Sequence, residues 1–482
     1  VPRVPGFPII GNMLDLLPET FLDRMVKRKE QYGNVFYLHM FFQKFIHISD
    51  TNLCREVLSK RPKTFVRGRV LNYMAETLHY LPYGLFHAND AHTWGRMRKM
   101  TSPAFSKQNL SNMSALLLKE GIAFAKHLEE ISQDGATLDM VKESTGYTVR
   151  VISSVAFGSE AVEYFFGQQF YEDVRVTFNV LLDHAMFPFP QWVWRLTPGY
   201  RMELAAIEAD RRFSQACQEV ISIKRAQHAT MKEEQKRELH SLIDIMIRQE
   251  ESRDDEMLAN VKTFYVAGSD TTSMSISWAL FLLAQHPDAV AQLREEVAAA
   301  GLFPSIHSSP SSSSSATEKT AAQVSEAMNS LAFTYAVLKE AVRLYPAGPA
   351  IFLDFISPTD EPVTLSNGVV IHADTTVIAN LSLCLRDAEH FPQPDAFLPQ
   401  RWLSEDKAML GRMEQAFMGF GAGARICPGM GLAMAEGVMA LAAVLHHFDL
   451  QLLCAPAEVK AEFKFTLQPS QLPMRLTSRK RE

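Results

Sequence analysis

The sequence predicts a mainly α-helical chain with a smaller β portion, an α+β fold built around one long central helix. Three observations predict it. Helical periodicity covers most of the apolar sequence, with its longest run from about Asp254 to His286. β-rich patterning is confined to two short patches, Val35 to Ile48 and Val363 to Ile371. A length of 482 residues, 47% hydrophobic and 21% charged, gives the balance of a globular chain able to bury a large core.

Residues 1–20 open as Val1-Pro-Arg-Val-Pro-Gly-Phe-Pro-Ile-Ile-Gly-Asn12, too rich in proline to begin with a helix. This lead-in reads either as a stiff extended segment, such as follows an anchor, or as a mobile terminus. Phe21 to Tyr32 is amphipathic and stops at Gly33, a natural C-terminal cap. From Val35 to Ile48 aromatic and β-branched residues are broken by Gln43-Lys44, which predicts a hairpin. Tyr200 to Ala229 carries Leu204, Ile207, Phe213, Cys217, Val220 and Ile221 on one face and charge on the other. The Asp254–His286 helix ends before Pro287. Residues 305–325 are Ser-rich and cannot pack a core, so they read as a solvated insert within one domain spanning 1–482. Met328 to Tyr345 and Met430 to Phe448 are helical, and Asn367-Gly368 marks a second hairpin.

A formal net charge of -6 without a clustered basic excess argues against a nucleic-acid partner. Five cysteines without close pairing argue against a disulfide framework and for a reducing compartment. No uninterrupted apolar run reaches the roughly 20 residues that span a bilayer.

Four motifs carry chemistry. In Phe420-Gly-Ala-Gly-Ala-Arg-Ile-Cys-Pro-Gly429 the glycines permit tight turns and close approach of a flat partner. Cys427 lies just ahead of a helix, whose free N–H groups and positive end favour a thiolate, and Pro428 suits a first helical turn. Arg425 adds a cation for the thiolate or for a cofactor carboxylate. Ala267-Gly-Ser-Asp-Thr-Thr272 places residues unfavourable to helix inside the long helix, a local conflict that points to function. Glu340 and Arg343 are three apart on one helix face, and Trp94 and Arg98 four apart on another.

The cysteine segment matches, at Phe420, Gly423, Arg425, Cys427 and Gly429, the signature loop of the cytochrome P-450 superfamily, and the chain resembles its eukaryotic microsomal members along nearly its whole length. The resemblance implies a haem-thiolate monooxygenase binding haem b, with Cys427 as axial ligand to the iron and the long helix lying over the haem. It implies that Ala267-Gly268 leaves space for dioxygen, that Thr271 holds a water or proton, and that Asp270 relays protons from solvent. Trp94 and Arg98 would grip a haem propionate. Glu340, Arg343 and Arg401 of Pro399-Gln-Arg-Trp402 would form a structural network. Two positions depart from the pattern. Leu353 stands where a propionate-binding arginine is usual, and Gln400 replaces the acid common beside Arg401.

The resemblance further implies electrons from NADPH through a separate reductase-type donor. Arg96, Lys99 and Lys107 form either its docking face or a merely solvated one. Phe187-Pro-Phe-Pro-Gln-Trp-Val-Trp194 is either a membrane contact or an internally packed loop. The expected site is the cytosolic face of the endoplasmic reticulum membrane, through an N-terminal anchor preceding Val1. Tyr73, Leu85, Phe86, Ala267 and Phe352 are the candidate substrate-facing residues, and their apolar character predicts a lipophilic ligand. A sterol is the first choice, with fatty acids and foreign compounds as alternatives. A peroxide isomerase or dehydratase on the same scaffold, and a non-catalytic haem sensor, are the competing readings; the Asp270-Thr271 pair speaks against both.

Overall fold

A computed structural model describes residues 1–17, 20–68, 84–158, 171–173, 176–177, 180, 191–237, 239–249, 253–303, 319–355 and 361–479. Helix α1 (Phe21–Tyr32) ends where predicted, at Gly33 with φ 81°. Strands β1 (Val35–Met40) and β2 (Gln43–Ile48) form the first hairpin, but Met40 pairs with Gln43, so the turn is Phe41-Phe42. The polar Gln43-Lys44 expected at the turn belongs to β2 because both side chains find partners across the sheet. Gln43 donates to Thr376 Oγ1 at 3.0 Å, and Lys44 meets Asp374 at 2.5 Å. The proline-rich start is docked on β1: Tyr37 N–H donates to Pro2 O at 2.8 Å, and Val4 N–H donates to Tyr37 O at 2.9 Å.

Helix α2 (Thr51–Ser59) starts at Asp50, whose carboxylate accepts the Leu53 N–H. Strand β3 (Phe65–Arg67) precedes the large helices, β4 (Leu138–Asp139) lies among them, and β5 (Ala350–Phe355) follows them. The predicted Asn-Gly hairpin is β6 (Val363–Thr364) with β7 (Val370–Ile371), Gly368 turning at φ 84°. β8 (Thr375–Asn380) completes a five-stranded sheet in the order β1-β2-β8-β5-β3, with β2 and β8 parallel and the other neighbours antiparallel. Alternation along the strands gives the sheet two apolar faces. Ile46, Ile48, Phe65, Leu353 and Val377 pack with Leu58 of α2, while Phe45, Phe352 and Ile378 pack with Phe21 and Met25 of α1.

The helical body contains α3 (Ala91–Thr101), α4 (Lys107–Ile131), α5 (Met140–Phe157), α6 (Gly199–Thr230), α7 (Asp254–Leu283) and α8 (Pro287–Ala300). The run predicted from Met328 to Tyr345 is α10 (Ala332–Leu344), and a separate helix, α9 (Ala321–Asn329), precedes it and ends inside the predicted start. The break has a cause: both oxygens of Glu296 on α8 accept the Phe333 and Thr334 N–H groups, at 2.7 and 2.8 Å, and start α10 afresh. α9 opens with a Thr320–Gln323 capping box, so the last residues assigned to the Ser-rich insert are helical. Residues 305–318 of that insert lie outside the described ones, and α7, α8 and α4 before it pack against α10, α10 and α9 after it.

Helix α11 (Met430–His447) is, among the described residues, long and apolar enough to cross a membrane. It is buried in the main core, with Val438, Met439, Leu441 and Val444 under α4, α7 and α10. β9 (Phe448–Leu452) continues it and pairs with β12 (Pro473–Ser478), which also pairs with β4, while β10 (Ala461–Phe463) and β11 (Leu467–Pro469) form a hairpin reaching α7.

Candidate functional site

The cysteine segment is a closed loop held against α2. Cys427 N–H donates to Phe420 O at 3.0 Å and Gly421 N–H to Met418 O at 2.9 Å. Gly423 has φ 71°, and a Cβ there would lie 2.6 Å from the Leu58 carbonyl, so no other residue fits. α11 begins at Met430 with Gly429 as its cap, which sets Pro428 just before the helix rather than in its first turn. The Gly429 and Met430 N–H groups and the Arg98 guanidinium all favour a thiolate at Cys427, yet burial outweighs them and raises the thiol's pKa. The expected ready-made thiolate is therefore a thiol in the protein alone. A bound cation would displace its proton, since coordination deprotonates a thiol outright.

Cationic groups gather beside the loop. The Arg425 guanidinium lies 5.2 Å from the centre of the Trp94 ring and donates through Nη2 to Ala88 O. Its Nε and Nη1 are sealed from solvent and find no acceptor among the described residues. Arg61 and Arg67, which sequence reasoning missed, share that condition at Nε. Burial, and then the Arg425 charge, lower the Arg61 pKa to about 10, and burial lowers that of Arg425 likewise to about 10. Orphaned buried donors of one sign suit a ligand bearing carboxylates. Haem, with two, fits these residues: Cys427 for the iron, and Arg425, Arg98 and Trp94 for its edge.

Over α7, Thr271 Oγ1 donates to the Ala267 carbonyl at 2.6 Å and Ser275 Oγ to the Thr271 carbonyl at 3.0 Å. Ala267, Thr271 and Ser275 share one partly exposed face of an otherwise buried helix. Gly268 does not open that face. A Cβ on it would lie 2.6 Å from Ile152 of α5, so this glycine serves close helix packing, a correction to the dioxygen role expected of it. Asp270 accepts from Tyr171 Oη at 2.9 Å and from Thr466 Oγ1 at 2.6 Å, both oxygens thus being engaged by hydroxyls. Phe105 connects the two halves of the site, its ring 5.1 Å from Phe264 of α7 and its edge 3.9 Å from where a Gly429 Cβ would sit.

The Glu340 network is complete. Glu340 accepts from Arg343 at 2.8 and 2.9 Å, from Arg401 Nε at 3.0 Å, from Leu398 N–H at 3.1 Å and from Trp402 Nε1 at 2.8 Å. The remaining guanidinium N–H groups bind the Leu385, Pro392, Gln393, Pro394 and Ala396 carbonyls. Trp402 is the member the sequence did not announce. The network fixes the segment leading into the cysteine loop.

The family profile described as Cytochrome P450 matches residues 2–474. The chain belongs to the cytochrome P450 family. This P450 is 26% identical to ferruginol synthase of Salvia miltiorrhiza over 92% of its own length and 86% of that protein. It is 25% identical to cytochrome P450 6a2 of Drosophila melanogaster, over 96% and 90% of the two chains. Germacrene A hydroxylase of Lactuca sativa is 24% identical, over 94% and 87%. It is a P450 monooxygenase: its cofactor is the haem-thiolate of the family, and it takes a small-molecule substrate and electrons from a redox partner.

The P450 structure brings Trp94, Arg98, Phe420, Arg425 and Cys427 together as one group. Its candidate substrate residues divide. Leu85 packs on α7, its N–H donating to Asn260 Oδ1 at 2.9 Å, with the adjoining Gly84 against Ala259 and Thr263. Phe86 is engaged by the Arg67 guanidinium, 3.4 Å above its ring, which ties it to the cationic group. Phe352 is a correction: strand alternation turns it away from Leu353 and the cysteine loop, toward Phe21 at 6.1 Å in the α1 core. Tyr73, and residues 187–190 of the aromatic stretch, lie outside the described residues. Arg96 is also corrected as a docking residue, because it is bound to the buried Glu256 of α7 through both Nη1 and Nη2. Lys99 and Lys107 remain exposed.

Proposed function

We propose that this P450 hydroxylates or oxidatively demethylates a lipophilic small molecule in lipid metabolism, with a sterol as the first class to test and fatty acids or foreign compounds next. One relative carries the name of a hydroxylase, which supports this reaction type. Haem supplies activation of O2 and insertion of one oxygen atom when bound. The chain's own residues supply the rest. Cys427 Sγ would hold the haem iron, with the N–H donors of Gly429 and Met430 moderating the sulfur's charge. Arg98, Trp94 and Arg425 would hold the carboxylates.

The single observation that carries the reading is the adjacent polar groups Asp270 and Thr271 on α7, an otherwise largely buried helix. The Thr271 hydroxyl, bonded to the Ala267 carbonyl, can hold a water at that oxygen. The Asp270 carboxylate, with the hydroxyls of Tyr171 and Thr466 on its two oxygens, can pass a proton inward from the β10–β11 side. A peroxide isomerase or a sensor has little use for that pair.

Electrons would come from an NADPH-cytochrome P450 reductase-type donor docking near exposed Lys99 and Lys107. Membrane association at the endoplasmic reticulum is supported by Trp192, 66% exposed, and Leu196, 79% exposed, at the start of the segment leading to α6. Two measurements test the function. The reduced protein with carbon monoxide should show the red-shifted band of thiolate-ligated haem, and Cys427→Ala should abolish it. Sterols and fatty acids are then screened for shifts of the haem spectrum and for NADPH-dependent product. A band typical of imidazole-ligated haem would overturn the assignment.

A further inference from the structure

Leu353 removes a cation from the wall beside the cysteine loop, and a cation stands on the neighbouring strand. Arg67 ends β3, and the antiparallel register sets it directly opposite Leu353 of β5. Directly opposed residues project from the same face of a sheet. On that face Leu353 is fully buried with Leu58 of α2 and with Met418 and Ala422, which lead into the cysteine loop. A guanidinium at position 67 thus serves the wall that one at position 353 would serve.

The side chain is held for such a task. Its backbone N–H donates to Asn89 Oδ1 at 3.2 Å, and its guanidinium rests 3.4 Å over the Phe86 ring. Nε is sealed from solvent and finds no acceptor among the described residues, as at Arg61 Nε and at Arg425 Nε and Nη1. Among the described residues, the charges acting on Arg67 are those of Arg61 and Arg425, and the charge acting on Arg61 is that of Arg425, all of one sign. Among the same residues, Arg425 feels an acid, Asp90. His87, next along the chain from Phe86, is kept neutral, its pKa pushed down to about 3 by burial and then by the Arg67 charge. Three clustered cations with one acid acting on them among the described residues suit an anionic ligand carrying two carboxylates.

We infer that Arg67 takes the place of the arginine absent at position 353 and, beside Arg61 and Arg425, binds a haem propionate. The inference rests on the P450 reading above. Arg67 is a positioning residue for the cofactor and takes no part in the oxidation.

The test compares two porphyrins in the holoprotein: haem, and haem with both propionates converted to methyl esters. Loss of each to excess apomyoglobin is timed by absorbance. Arg67→Leu should release haem about ten-fold faster than the wild type, the effect of losing one charge-assisted hydrogen bond. The ester should leave wild type and variant at the same rate, because it offers no carboxylate to Arg67. Arg67→Lys, which keeps the charge, should hold haem more tightly than Arg67→Leu does. All variants should retain the thiolate carbon-monoxide band, since Cys427 is untouched. Equal acceleration with both porphyrins, or none with haem, overturns the role of Arg67 and leaves the P450 reading standing. A wild type lacking the thiolate band would instead overturn the reading beneath it.

Discussion

Cys427 meets opposing influences, and their balance has a measurable consequence. Burial raises its pKa while two N–H groups and Arg98 act to lower it. Below that raised pKa the protein alone carries the neutral thiol, so ligation must release one proton. Haem affinity should therefore rise with pH, by about ten-fold per unit across the neutral range from this group. An affinity that is flat between pH 6 and 8 would contradict the protonated resting state. At Thr271 the prediction is catalytic. Thr271→Ala keeps the haem but removes the hydroxyl, so electron consumption should run ahead of product, measured as NADPH oxidised per hydroxylated molecule. At Trp402 it is structural. Trp402→Phe leaves a Glu340 oxygen short of a donor and should cost about 1–3 kcal/mol in denaturant unfolding.

At the scale of elements, α7 is placed by what touches it on opposite sides. Its Gly268 face meets Ile152 of α5 so closely that Gly268→Ala must displace a side chain, at a cost of about 1–3 kcal/mol. Ile152→Ala in the same chain should recover part of it. No recovery would locate the glycine's role elsewhere, at the Ala267–Thr271 face. α10 depends on a residue outside itself. Glu296 caps it, and Glu296→Ala should lower stability by about 1 kcal/mol, read as a shifted unfolding midpoint. The split of α9 from α10 was not legible in the sequence, because the capping carboxylate lies on α8, some forty residues earlier. Periodicity alone starts a helix at Met328, inside the end of α9, and runs it through the break into α10.

Over the whole molecule, the five-stranded sheet and the helical body meet at the cysteine loop. α2 presses on Gly423 from the sheet side, while α3, through Arg98 and Trp94, approaches from the helical side. This joint arrangement explains why the cations cluster there. Arg61, Arg67 and Arg425 are 6 and 358 positions apart in sequence yet act on one another in the fold. The outer surface carries its own prediction. Trp192→Ser with Leu196→Ser should weaken partition into phospholipid vesicles several-fold without changing the haem spectrum, whereas unchanged partition would assign membrane contact to another face.

The sequence by itself determined the family, the Arg343 and Arg401 partners of Glu340, the end of α1 and the start of α11, and it singled out Cys427 as the candidate ligand. Each is written in short-range patterns: a spaced motif, an i to i+3 pair, or a glycine or proline stop. α7, by contrast, ends at Leu283, three residues before the expected His286. The tertiary structure decided the protonation of Cys427, the purpose of Gly268, the inward turn of Phe352 and Arg96, and the cationic wall around Arg67. Those depend on burial and on partners far away along the chain, and no local pattern records what a side chain will face once strands and helices are packed.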